Sequence, residues 1–323
     1  MTVSVLVPVF KVEDKIERCA RSLFTQTYPN LEYIFVNDCT PDRSFDILHE
    51  VTEEDPNRKD KITFINNEQN RGIAYCRNIA IAKAQGDFVC QVDSDDWLEP
   101  DAIEQLVREQ QMTDADVVWG DAMMHSTDGE SVLTEPHYAD KHTWLLCYSR
   151  LTPGFTMVNW RRIIRRSLFT EHNIKAIEGN NYAEDKVIMT QVAYYAKSYS
   201  YINRIVYHYN QLSEDTMTSL LRRKGFALEV FQQEMRNILA IEDFWRDKES
   251  IFYEEFQKAK IGFLMLRLSD ALRYSSLRGY NRVKRHIDSV NRHYYEVVGL
   301  DNWKSRFVYS NYYIAKTYLT FHR

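Results

Sequence analysis

Four β-type runs separated by helical stripes fill roughly the first ninety residues, and this alternation constrains the fold more than any other feature of the chain. Val3 to Val9, Leu31 to Val36, Ile62 to Ile65 and Phe88 to Val92 are dominated by β-branched and aromatic side chains, as buried strands are. Between the first two, Ile16, Cys19, Ala20, Leu23 and Phe24 recur at helical spacing. A second helix is expected from Thr40, with Pro41 as its first helical residue and Phe45, Leu48 and Val51 on its buried side. A third is expected over Ile73 to Ala84, with Gly86 just past its end. Alternation of this kind predicts a mostly parallel sheet covered by helices on both faces. Ligands of such sheets bind outside the carboxyl ends of the strands, where Asp38 and Asp93 fall.

The fourth run leads into an acidic segment that places Asp93, Asp95 and Asp96 within four residues. Asp is disfavoured in strand interiors, so the strand should end here and project the acids from its carboxyl edge. Crowding like charges costs free energy unless a cation or a set of donors compensates them, and hard divalent cations that also hold substrate phosphates commonly do so. The alternative is an N-cap at Asp95 or Asp96 for a helix through Trp97, Leu98, Ile103, Leu106 and Val107. A cap accounts for one acid and not for three.

Downstream, Val117 to Trp119 reads as a strand, Ser126 to Pro136 as a polar loop, Glu184 to Ala196 as a helix and Ile202 to Tyr209 as a strand. After about Leu220 the strand signals give way to helical stripes such as Ile261, Leu264, Met265 and Leu268. The domain organisation expected is therefore an α/β domain over 1–219 and a helical C-terminal region over 220–323. The most apolar stretch, Ile261 to Leu268, is short and broken by Arg267, so no membrane span is expected. Met1 runs into Val3, Val5 and Val7 without a basic leader, which points to the cytoplasm. The five cysteines are scattered and lack CxxC spacing, favouring reduced thiols over disulfides or a zinc site.

The motifs, in their order along the chain, resemble the family 2 glycosyltransferases. The pieces are SVLVPVF, SLFTQTYPNLEYIFVNDCTPDRS, NRGIAYCRNIAIAKAQGDFVCQVDSDDWLEPD, YAEDKVIM and VYHYN, running from Ser4 to about Ser219. The resemblance implies a GT-A fold: an α/β, Rossmann-like mixed, mostly parallel sheet flanked by helices, here with a helical C-terminal appendage. It further implies an inverting transfer of a sugar from a UDP-sugar donor to a hydroxyl of a glycan or lipid-linked acceptor in cell-surface polysaccharide synthesis. By resemblance, Pro8, Phe10, Asp38, Arg71, Asp93 and Ser94 bind the nucleotide, with Phe10 stacking on the base, Asp38 accepting the uracil N3 proton and Asp93 contacting the ribose. Asp95 takes a Mn²⁺ or Mg²⁺ ion bridging the two phosphates, and His208 is a further candidate ligand. Asp185 acts as general base, with Glu184 as the fallback.

The chain departs from the family pattern at Asn37, Cys39 and Lys11, where an acid, a glycine and an asparagine are frequent. Several of the motif residues also have a plainer reading. Asp38 suits an Asx turn, Glu184 and Asp185 suit a helix N-terminus, His208 suits an aromatic core, and Arg77 suits a tie between its helix and the acidic segment. A nucleotidyltransferase making sugar donors, or a nucleotide-binding scaffold without turnover, are the rival functions; the glycine-rich phosphate loop of the former is missing.

Charge is uneven. Residues 220–323 carry 19 Lys or Arg against 12 Asp or Glu, a net of +7, whereas residues 1–219 carry 22 against 34, a net of −12. With Ile261, Leu264, Leu268 and Leu272, the basic excess after Lys258 suggests peripheral contact with the inner face of the plasma membrane. A helical bundle with a solvated basic face is the competing reading, and no nucleic-acid motif accompanies the charge.

Overall fold

A computed structural model of the chain describes residues 1–135, 137–152, 157–212, 227–274 and 276–290. Two compact units are present, one formed by Met1–Lys141 with Gly154–Ser213 and the other by His142–Pro153 with Glu214–Arg323.

The first unit is built on a mixed sheet in the order β3-β2-β1-β4-β8-β6-β9-β5, with β7 added on β6. Its parallel part comprises β1 (Val3–Val9), β2 (Leu31–Asn37), β3 (Ile62–Asn66) and β4 (Phe88–Gln91). The register pairs Val9 with Asn37, Asn37 with Asn66, and Leu6 with Gln91. All four strands therefore release their chains at one edge, and bonds continue past the strand ends from Asp38 N to the Val9 carbonyl (3.0 Å) and from Val92 N to the Leu6 carbonyl (3.0 Å). The helices that return the chain are α1 (Ile16–Phe24), α2 (Ser44–Glu54), the short α3 (Pro56–Lys59) and α4 (Ile73–Lys83). The expected stripe Ile16, Cys19, Ala20, Leu23 and Phe24 is the buried face of α1, packed on Val3, Val5, Val7 and Val9 in one core.

The second half of the sheet is antiparallel where β8 (Arg162–Arg165) joins β4 to β6 (Val117–Ser126). Strand β9 (Tyr199–Asn210) runs parallel to β6, while β5 (Trp97–Leu98) pairs antiparallel with β9. Helices α5 (Ala102–Thr113), α7 (Ser167–Glu171) and α8 (Asp185–Tyr195) complete the unit.

Three local expectations are corrected. Helix α2 begins at Ser44 and not at Thr40, because Asp42 Oδ1 accepts the hydroxyls of Thr40 and Ser44 (both 2.6 Å) and holds 40–43 as a turn. No helix is capped by Asp95 or Asp96; Trp97 and Leu98 form β5, and α5 starts at Ala102. The polar segment after Ser126 is a hairpin, with β7 (Gly129–Leu133) paired on β6. The strand β8 was not foreseen. Arg161, just before it, and Arg162, its first residue, are fully buried and donate to Glu135 Oε2 at 3.1 and 2.9 Å.

The second unit is helical in its described residues: α6 (Lys141–Ser149), α9 (Leu228–Arg246), α10 (Ser250–Arg273) and α11 (Leu277–Asp288). Ile261, Leu264, Leu268 and Leu272 are buried, so this stripe packs within the protein and does not face outward. Several of the basic groups also have partners: Lys260 lies 2.7 Å from Glu242, Arg267 lies 2.7 Å from Glu234 and 3.0 Å from Asp270, and Lys258 lies 2.7 Å from Glu255. Arg273, Arg278 and Arg285 remain exposed. Arg292 lies outside the described residues.

Candidate functional site

The carboxyl edge of the parallel strands gathers most of the residues singled out in the sequence. Asp38, immediately after β2, is buried. Its Oδ1 accepts the backbone N–H of Arg71 (2.7 Å) and the Asn67 amide (2.8 Å), and its Oδ2 accepts the N–H of Gly72 (2.7 Å). Asp38 thus builds the Asn70-Arg71-Gly72 turn. The Cys76 thiol is a further hydrogen-bond partner of this carboxylate.

Gly72 takes a φ of +84°, and a Cβ there would collide with the Asn181 side chain. Arg71 stays partly exposed, its guanidinium 4.1 Å over the Tyr75 ring and 3.7 Å from Glu178 Oε2. Past β1, Phe10 is exposed with Lys11 Nζ 5.3 Å from its ring centre, and Pro8 sits inside β1 opposite Val36. Cys39 is exposed and adopts φ +56°, the conformation that a glycine at this position would adopt freely.

The acidic turn after β4 divides its carboxylates by role. Asp96 is buried and accepts the Tyr207 hydroxyl and the Asn210 N–H, both at 2.7 Å. It fastens the turn to β9, and burial, then Asp95 and Asp93, hold it well above the usual carboxylate range. Asp93 receives Arg77 Nη2 at 2.8 Å, while its N–H donates to the Tyr207 oxygen at 3.1 Å. Ser94 is buried between them. Asp95 is half-buried. Burial, then Asp93, push it up to about 6, while Lys15, just before α1, and Arg18, within it, pull it down.

This donor set fits a hard divalent cation. Asp95 is an under-compensated oxygen ligand beside a second carboxylate, and among the described residues no three His, Cys, Asp or Glu side chains are grouped to hold an ion alone. An ion held at Asp95 would take its remaining oxygen ligands from substrate and water, as Mg²⁺ ordinarily does. His208 stands in a different network: Nδ1 is 2.9 Å from His125 Nε2, Nε2 is 2.8 Å from Glu99, and the ring stacks on Trp97 at 4.8 Å. The Arg18 guanidinium also lies over Trp97, 3.5 Å from the ring centre. As a metal ligand, His208 would have to give up one of its two ring bonds.

Glu184 precedes α8 and is buried against Arg77, whose Nε reaches Glu184 Oε1 at 2.8 Å. Asp185, at the first position of α8, is pushed up to about 7 by burial and by Glu184. Arg77 Nη1 meets Gln91 Oε1 at 2.7 Å, so one guanidinium joins the strand end, the acidic turn and the Glu184–Asp185 pair. The structure brings Asp38 to Arg71 and Asp93 to Glu184, and keeps His208 in its own bonded chain. Asn67, Gln91, Tyr207 and Asn181 were not anticipated. Asn67 and Gln91 lie at strand ends, where the edge rule would have found them.

A model of glycosyl transferase family 2 matches residues 4–226. The putative glycosyltransferase EpsH of Bacillus subtilis is 32% identical over 214 residues, covering 64% of this chain and 60% of EpsH, so the chain matches about three-fifths of that relative. In shape it is similar to S. aureus TarS 1-349 in complex with UDP-GlcNAc, with a TM-score of 0.73 at 18% identity over 99% of this chain and 92% of that one. It is also similar to the mannosyltransferase PcManGT of Pyrobaculum calidifontis, in complex with GDP-Man and Mn²⁺, with a TM-score of 0.52 at 16% identity over 99% and 86%. The fold is therefore that of the GT-A neighbours, and the chain belongs to glycosyl transferase family 2.

Proposed function

We propose that the chain is an inverting, metal-dependent glycosyltransferase that moves a sugar from a UDP-sugar to a hydroxyl of a glycan or lipid-linked acceptor in cell-surface polysaccharide synthesis. The observation that carries this reading is the Arg77 linkage, which ties the acidic turn and the Glu184–Asp185 pair to one group. Pro8 and Phe10 line the base, Asp38 takes its N–H, Arg71 faces phosphate or ribose oxygens, and Asp93 with Ser94 meets the ribose. Asp95 would hold a Mn²⁺ or Mg²⁺ ion, whose chemistry there would be neutralisation of charge on the departing diphosphate. Asp185 accepts the acceptor hydroxyl proton as that oxygen attacks the anomeric carbon opposite the nucleotide. Its position near pH 7 suits a base that must release the proton again. One displacement inverts the configuration.

We place the catalytic domain at 1–219 and the helical region at 220–323. Among the described residues no helix is long and apolar enough to cross a membrane. Contact with an anionic bilayer, in a cytoplasmic setting, then rests among the described residues on exposed arginines such as Arg273, Arg278 and Arg285. The function is tested by incubating the chain with a panel of UDP-sugars and GDP-mannose, with and without Mn²⁺. Metal-dependent release of UDP from one donor is expected; release from GDP-mannose alone would overturn the uracil assignment, and no release from any donor would overturn turnover.

A further inference from the structure

Arg77 is unusual among the charged residues of the first unit. Its side chain is 4% exposed, so it does not meet a substrate, yet each of its three nitrogens donates to a separate segment: Gln91 at the end of β4, Asp93 in the acidic turn and Glu184 before α8. These partners lie 14, 16 and 107 residues away in sequence. A planar guanidinium can hold such a set rigidly, whereas an ammonium is a point charge on a flexible stem.

The charge balance matters as much as the geometry. Asp185 is faced by Glu184 and Lys186 on its own helix segment, by Arg77 from α4 and by Asp93 from the acidic turn. Glu184 Oε1 and Asp93 Oδ1 are bonded to the one guanidinium. Burial raises Glu184 as well, against the pull of its Arg77 bond, whereas Asp185 feels Arg77 only through space and has no guanidinium bond to give up when it takes a proton.

Resting on the transferase reading above, we propose that Arg77 is a positioning residue: it holds Glu184 as its counter-ion, leaves Asp185 as the proton acceptor, and through Asp93 ties that choice to the nucleotide side of the site. Glu184 is then no substitute base.

The test compares the wild type, Glu184→Gln and the double variant Arg77→Gln/Glu184→Gln, because Arg77→Gln alone strands Glu184 as a buried unpaired charge and endangers folding. The first readout is the ¹³C-carboxyl titration of Asp185 in Asp-labelled protein, assigned with Asp185→Asn, which needs no substrate. Removing the Glu184 charge should move the Asp185 midpoint down, and removing Arg77 as well should move it back up by about one pH unit. The second is calorimetric binding of UDP with Mn²⁺, expected to be roughly tenfold weaker in the double variant than in Glu184→Gln, as for a lost charged hydrogen bond. Coincident Asp185 midpoints in the two variants would overturn the link to the base, and equal UDP affinity would overturn the link through Asp93. A wild type that binds no UDP would overturn the donor assignment instead, and the carboxyl titration would still decide the role of Arg77. Loss of thermal stability alone, with both readouts unmoved, would reduce Arg77 to a purely structural tie and refute the proposal.

Discussion

Tyr207 donates its hydroxyl to Asp96 at 2.7 Å and, through the same oxygen, accepts the backbone N–H of Asp93 at 3.1 Å. One phenol therefore holds both ends of the acidic turn. Tyr207→Phe removes a donor from a buried carboxylate and an acceptor from a backbone N–H, so a loss of about 1–3 kcal/mol in urea unfolding is expected. A change below about 0.5 kcal/mol, the range of ordinary surface substitutions, would show that the turn stands without it.

UDP should protect the chain against heat only with Mn²⁺ or Mg²⁺ present. A ligand that binds only the folded state contributes about 2.7 kcal/mol at a hundredfold excess over its Kd. In Asp95→Ala the metal-dependent part should vanish; a thermal shift equal to that of the wild type would remove Asp95 from the ion.

Asp185→Asn keeps the side-chain shape and removes its basicity, so donor turnover should fall roughly 10²- to 10⁴-fold while UDP binding persists. In the wild type, activity should rise with pH through about 7. Stability follows the opposite course. Asp185 holds its proton more tightly folded than unfolded, so its contribution weakens as pH climbs from the ordinary Asp range near 4 towards about 7 and is flat above. Asp185→Asn should accordingly gain on the wild type in melting temperature across that window and keep the gain at higher pH. A pH-independent difference would contradict the burial of this carboxyl.

Asp38→Asn tests a different balance. An amide oxygen can keep one of the donors on Asp38, but its NH₂ must face another N–H of the Arg71-Gly72 turn. Destabilisation of about 1–3 kcal/mol is expected together with weakened UDP binding. Weakened binding at unchanged stability would mean that Asp38 serves the ligand and not the turn.

Cys39→Gly should stabilise the chain by about 1 kcal/mol in denaturant unfolding, since a side chain at φ +56° carries the left-handed penalty that glycine escapes. Destabilisation would show that the thiol makes a contact worth more than that strain.

The parallel half of the sheet was legible because Val3 to Val9 and its neighbours are contiguous apolar runs whose helices bury regular stripes. Strand β8 was not legible, since Arg162 and Arg165 flank only Ile163 and Ile164, and the buried Arg161 and Arg162 are compensated by Glu135, more than twenty residues away in sequence. The start of α2 was misjudged because Pro41 is a sound first helical residue, yet Asp42 competes for Thr40 and Ser44. In the site, the acids could be picked out as local motifs. Their division was hidden: nothing near Asp96 announces Tyr207, and nothing near Arg77 announces Glu184.

The absence of a side chain at Gly72 and the presence of one at Asn181 are two halves of a single fit. Any replacement of the segment around Asn181 that keeps this side chain would have to keep glycine at 72, because the asparagine occupies the space that a Cβ there would take. Variation in the two segments should be inherited as a unit.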